Sequence, residues 1–256
     1  MICIATHKIA SMPQYDGYKP IHVGAVLNKK LPYTPDCLGD NISEKNKNYC
    51  ELTAIYWLWK NVNEPYKGIV HYRRYFGKNS LSSSISNVYS QKELIALLNN
   101  YDIILANPDF LKQNAKNELL INCCTVQIFH SLKSVIEKLH PTYINTFENF
   151  FKQNKVSLLN MMFAKTEIFD NYCSWLFSIL FELEKNIDIS DLNPYQQRLY
   201  GFLSERLLNV WVIENKLKIK YLPIINTETS IYQKLQHYRR NITNSIYFNI
   251  FQSIKS

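Results

Sequence analysis

Short apolar runs with β-sheet character alternate with helical stretches along most of the chain, and this alternation constrains the fold more than any single motif. Residues 2–6 are short, apolar and β-branched, and read as a buried first strand. Residues 21–27, 68–72, 101–106, 156–163 and 217–225 read as further strands. Between them, Leu52, Ile55, Tyr56 and Trp59 fall at helical spacing within a helix expected from Asn48 to Asn61. Helices are also expected at 92–99, 126–139, 166–186 and 195–215, with a loop over the Ser/Asn-rich residues 79–90. The order predicts an α/β fold with a mostly parallel central sheet flanked by helices. In such sheets ligands bind beyond the C-terminal strand ends. The residues to inspect are therefore Thr6-His7-Lys8, the loop after Leu27, His71 to Arg74, Asn107 to Asp109, and Asn160-Met161.

Several function classes drop out early. No run of eighteen apolar residues exists, so no spanning helix is expected. The first basic residues follow the opening apolar run, the reverse of a signal peptide, so a cytoplasmic protein is expected. The six cysteines form no CxxC pair and have no histidine at zinc spacing, which favours reduced, buried thiols. There is no Walker loop, GxGxxG, HExxH, GxSxG or DxD.

The formal net charge of +8 calls for an anionic partner without choosing one. Half of that excess, the four charges of Lys234, Arg239, Arg240 and Lys255, lies in residues 229–256, which contain no acid. There Ile242, Ile246, Ile250 and Ile254 recur every four residues, flanked by Tyr247, Phe248 and Phe251. This is a basic amphipathic helix, either packed on the domain or a partner chain, or laid on an anionic membrane. The remaining excess is modest for residues 1–228, and its basic residues are dispersed, so no nucleic-acid surface is expected.

Three clusters can carry chemistry. His71-Tyr72-Arg73-Arg74 follows a buried strand and forms an anion trap, because a guanidinium fork matches phosphate oxygens. On an extended chain the two arginines would point to opposite sides, one to a ligand and the other to a carboxylate. The alternative is that both sit in salt bridges. Asp40, Asn41 and Ser43 precede a helix bearing Asn48, Glu51 and Thr53, as simple caps or as the approach to an anion-binding helix terminus. Arg198, Glu205 and Arg206 are charges among large apolar residues. Glu205 is either half of a buried ion pair or a general base tuned by its surroundings.

These segments, with Tyr56-Trp57-Leu58-Trp59-Lys60-Asn61, Gly68 to Phe76, Asn160-Met161-Met162, Tyr172 to Phe177 and Arg198 to Leu207, occur in an order that resembles one bacterial family. It comprises capsular-polysaccharide and O-antigen glycosyltransferases long filed as a domain of unknown function. Some members resemble β-galactofuranosyltransferases that use UDP-galactofuranose. The resemblance spans about residues 2–222, so a transferase domain over 1–228 and a separate helix over 229–256 are expected.

The resemblance implies a GT-A-like nucleotide-sugar-binding fold and an inverting glycosyltransferase. Its partners would be a UDP-sugar donor and a lipid-linked acceptor, a growing capsule, O-antigen or related glycan. It would sit peripherally on the inner face of the plasma membrane, with oligomeric state open. Thr6, His7, Lys8, Asp40, Asn41, Ser43 and Asn48 would hold the donor, with His71, Arg73 and Arg74 on its diphosphate. Glu205, with Asp109 as second choice, would be the base. Asn160, Met161, Tyr195, Arg198 and Arg206 would meet the acceptor, and rings near Tyr195 and Trp211 would stack on sugars. Because His71 to Arg74 stand where most such folds place DxD, no metal or other cofactor is expected. One departure is that Ser131 follows His130 where family members often carry an acid. This puts acceptor chemistry in question. The rival readings are a noncatalytic membrane-surface scaffold or a nucleic-acid-binding module.

Overall fold

The computed structural model describes residues 1–255, with side chains through Ile250. Ser256 and the side chains of Phe251, Ile254 and Lys255 from the tail pattern lie outside the described residues. The strands are β1 (Ile2–Thr6), β2 (Tyr18–His22), β3 (Thr34–Pro35), β4 (Tyr66–His71), β5 (Arg74–Phe76), β6 (Ile103–Ala106), β7 (Asp109–Phe110), β8 (Lys155–Val156), β9 (Met162–Lys165), β10 (Ile219–Leu222) and β11 (Ile224–Asn226). The helices are α1 (Asn46–Tyr49), α2 (Leu52–Asn61), α3 (Gln91–Leu97), α4 (Ala115–Asn122), α5 (Val126–Leu139), α6 (Ile144–Phe151), α7 (Thr166–Asn186), α8 (Leu199–Glu214) and α9 (Ile231–Lys255).

The main sheet runs β10-β6-β9-β4-β1-β2-β3. Its neighbours are parallel except at β9, which is antiparallel to both β6 and β4. The expected mostly parallel α/β sheet is therefore present, with one reversed strand inside it. Gly68 permits the close β4–β9 approach, because a Cβ there would lie 2.9 Å from the Met162 carbonyl oxygen and 2.6 Å from the Phe163 ring. One sheet face packs on α2, α5, α7 and α8 through residues such as Ile55, Leu132, Leu176 and Leu207. The other face buries Ile2, Ile4, Val70, Tyr75 and Phe163 beneath α3 and β5. Helix starts follow local chemistry. Ser90 and Glu93 form a reciprocal capping box on α3, and Thr125 accepts from the Ile128 N–H at the start of α5.

Four expected elements change. The helix expected over 48–61 is broken at Cys50, whose φ of 52° and ψ of −128° separate α1 from α2. The second strand begins earlier, at Tyr18, and residues 23–27 turn away at Gly24. The strand expected over 156–163 is split by a turn in which Leu159 and Asn160 both have positive φ. The late strand divides into β10 and β11 around Pro223, and β11 pairs with β5 instead of continuing the path. Helices α4 and α6 lie where no element was expected. Helix α4 is mostly polar on its surface, and α6 hides a cluster formed by Phe147, Phe150 and Phe151.

Candidate active site

The parallel strands β1 and β4 end at Thr6 and His71, and the chain reverses there into β5 through Tyr72 and Arg73. This reversal, rather than strand alternation, separates the two arginines. Arg73 Nη1 donates to Glu228 Oε2 at 2.9 Å, and Lys8 Nζ donates to Glu228 Oε1 at 3.1 Å. Lys8 and Arg73 both lie over the Tyr72 ring, which His7 meets edge-on. Arg73 Nε is buried and has no partner. Arg74 turns the other way and lines a cavity of about 700 Å³ with Asn107, Asp109, Leu159 and residues of α9. Among the described residues, no hydrogen bond or ion pair reaches its guanidinium. Burial and the neighbouring Arg73 lower its pKa, while Glu51 and Glu205 oppose that shift.

Opposite the arginines stands a clamped turn. Glu205 Oε1 accepts from the Leu159 N–H at 2.9 Å, and His71 Nε2 lies 2.7 Å from the Leu159 carbonyl oxygen. Asn160 donates to Glu51 Oε1 at 2.8 Å and to the Gly201 carbonyl, and its own oxygen accepts from Ser204. These bonds hold two adjacent non-glycine residues in the left-handed region, a strained conformation that tends to concentrate at functional sites. Glu51 reaches the turn because of the break at Cys50. The helical pattern around Leu52 concealed this role, and no sequence signal announced the break.

Glu205 is 15% exposed at its side chain. Burial lifts its carboxyl to about 7, Glu51 adds to the rise, and Arg206 opposes it. A carboxyl in that range suits a general base near neutral pH. Arg206, only 3% exposed, bridges Glu205 at 2.7 Å and Glu118 at 2.6 Å. The ion pair considered for Glu205 is thus made with Arg206, and Arg206 is withdrawn from acceptor contact. Replacing Arg206 with Ala strands two partly buried carboxylates and is expected to cost about 3 kcal/mol of stability, measured by urea unfolding.

Other expected site residues have structural posts. Met161 and Trp211 are buried in the core and cannot meet an acceptor. Asn48 donates to the Gln197 carbonyl at 2.7 Å, tying α1 to the start of α8. Asn41 caps its own loop by accepting from the Ser43 N–H, Ser43 donates to Asp36, and Asp40 accepts from Tyr56. Asp36, which sequence reasoning passed over, is fully buried and accepts from the Gly24 and Ala25 N–H groups. Thr6 forms a turn with Lys8. His71 is no diphosphate cation, because burial lowers its pKa and its ring engages a carbonyl. Asp109 is taken by His237 at 2.9 Å and by Asn241, so it serves the tail helix and not an acceptor hydroxyl. His130, beside the missing acid, is exposed on α5.

Tyr195 is 53% exposed, packs against Phe202, and lies beside the Arg198 guanidinium. Arg198 Nε donates to Cys50 Sγ, which brings this aromatic and cationic rim to the Glu51 side of the site.

Residues 1–216 match the family described as "Domain of unknown function (DUF4422)". The chain belongs to that family. Among solved structures, the DUF4422 chain is similar to one titled "WbbM bifunctional glycosytransferase apo structure", at 28% identity and a TM-score of 0.80. That match covers 89% of this chain and 45% of the WbbM chain, so the DUF4422 chain spans less than half of that protein's length. The fold is thus one found in a glycosyltransferase structure. No curated protein matches the chain.

Folds of the GT-A type commonly hold a divalent cation on paired carboxylates at this strand end. The residues present here do not fit one, because the end of β4 offers two guanidiniums and a carbonyl-bonded imidazole. Among the described residues, no group of three His, Cys, Asp or Glu side chains is placed to hold a metal ion.

Proposed function

We propose that this chain is an inverting glycosyltransferase that moves a sugar from a UDP-sugar to a hydroxyl of a surface glycan. The observation that carries this reading is the Arg74 guanidinium, which lines the cavity, is reached by no hydrogen bond or ion pair among the described residues, and feels the charge of Glu205, a carboxylate tuned to about 7. An uncompensated, half-buried cation at a strand end is a seat for a diphosphate, whose negative charge grows as it leaves. Glu205 removes the proton from the acceptor hydroxyl as its oxygen bonds to the anomeric carbon. The bond to the diphosphate oxygen breaks, and UDP departs against Arg74. The Tyr195–Phe202 rim offers a flat apolar face to an acceptor sugar, with Arg198 beside it. UDP-galactofuranose is the first donor to try, because the motif resemblance points to it.

Glu228 holds the place of an anion between Lys8 and Arg73. Its carboxyl is kept below the ordinary range by both cations. A donor phosphate would exchange with it on Lys8 Nζ and Arg73 Nη1. Glu228→Gln is therefore expected to tighten UDP binding roughly two- to fivefold, read by titration calorimetry. Weaker binding in the variant would mean that Glu228 itself contacts the donor.

The function is tested by measuring UDP release from a panel of UDP-sugars with a lipid-linked glycan acceptor, alongside UDP-induced thermal stabilisation. The absence of turnover with every donor, together with the absence of UDP binding, would remove the reading.

A further inference from the structure

Helix α9 is tied to the body by side chains of its first five turns. Asn241 donates to Asp109 Oδ1 and its oxygen accepts from the Phe110 N–H, Asn244 donates to the Phe110 carbonyl, and Lys234 reaches Ser82 and Ser83. These contacts fix the helix's rotation. They turn Ile231, Leu235, Tyr238, Ile242 and Ile246 outward as a stripe, with exposures of 61%, 46%, 64%, 49% and 55%. An exposed stripe of this size on a helix marks a partner surface. Helix α9 has 25 residues, about 37 Å of length at the usual rise. No helix among the described residues is long and apolar enough to cross a bilayer, so the stripe is not part of a spanning segment.

Charge identifies the partner. Arg239 follows Leu235 by one turn, borders the stripe and is exposed, whereas Arg240 turns away from the stripe toward His237 and Asp109. Residues 229–256 contain no Asp or Glu. A second copy pairing through the same face in two-fold symmetry would set basic helix against basic helix. An anionic lipid surface instead matches both the apolar stripe and its cationic border.

The stripe is also continuous with the cavity. Tyr238, Ile242 and Ile246 belong to both, and Arg74 lines the same cavity. We infer that α9 lies on an anionic membrane surface with its apolar stripe against the lipid, so that the site cavity opens at the level of the headgroups. This rests on the transferase reading only in taking the cavity to be the reaction site. The tail is therefore a wall of the cavity as well as a membrane contact, and the division expected at residue 228 does not separate two functions.

The test is flotation of the full chain with phosphatidylcholine vesicles, with and without phosphatidylglycerol, alongside a UDP thermal shift. The wild type is expected to float with the anionic vesicles and to be released by salt. The Ile231→Glu, Leu235→Glu double variant leaves the cavity lining intact and is expected to bind vesicles at least tenfold more weakly, with an unchanged UDP shift. Arg239→Glu is expected to lose about fivefold or more, at roughly 1 kcal/mol per basic residue. No flotation of the wild type, equal flotation with neutral vesicles, or undiminished binding by the double variant would overturn the inference. So would a dimer that the same substitutions abolish. Vesicle binding without any UDP response would instead count against the transferase reading.

Discussion

Glu205→Gln is expected to lower kcat by roughly 10²- to 10⁴-fold, the usual contribution of a positioned general base, while UDP affinity stays near wild type. Gln keeps the shape of the side chain and an oxygen that can accept from the Leu159 N–H, so the turn is expected to persist. The pH dependence supplies an independent check. Burial lifts the Glu205 carboxyl to about 7, and a base works only when deprotonated. In the wild type kcat/KM is therefore expected to fall tenfold per unit as pH drops below about 7. The residual activity of the variant is expected to lack that limb. Full activity in Glu205→Gln would move the base elsewhere, with Glu51 the next carboxylate on the turn.

Arg74→Ala is expected to weaken UDP-sugar binding by roughly 10- to 150-fold, equivalent to about 1.5–3 kcal/mol for a hydrogen bond to a charged group. Among the described residues Arg74 has no hydrogen bond or ion pair to lose, and burial with Arg73 outweighs the attraction of Glu51 and Glu205, so the folded state is expected to be no less stable. Weaker binding at undiminished stability distinguishes a ligand-binding arginine from a structural one. Arg73→Ala is expected to have the smaller effect on binding, because Arg73 already spends one arm on Glu228. Equal affinity in Arg74→Ala and the wild type, measured by calorimetry, would remove the diphosphate role.

The legible parts of this chain were those set by local pattern. Strand β1 and helices α5 and α7 show their periods in the sequence, and adjacent arginines after a buried strand stand out chemically. Of the two arginines, Arg73 meets a carboxylate, Glu228, while among the described residues no hydrogen bond or ion pair reaches Arg74. What escaped depends on tertiary partners. Cys50, Leu159 and Asn160 adopt positive φ without being glycine, because bonds from distant residues hold them there. Glu51 and Asp36 gain their positions through such bonds. Trp211 and Arg206 were misplaced for a different reason. Helix α8 is buried over most of its circumference, so residue type does not tell which side meets a ligand.

The turn at Leu159 and Asn160 ties His71, Glu205, Glu51, Gly201 and Ser204 into one bonded circuit. Substitutions within it should combine non-additively, since each changes the setting in which the next is judged. Such a circuit drifts as a block. A homologue that replaced Asn160 would have to re-seat Glu51 and Ser204 in the same lineage, so sites descended from this one should differ by whole sets of these residues and seldom by single exchanges.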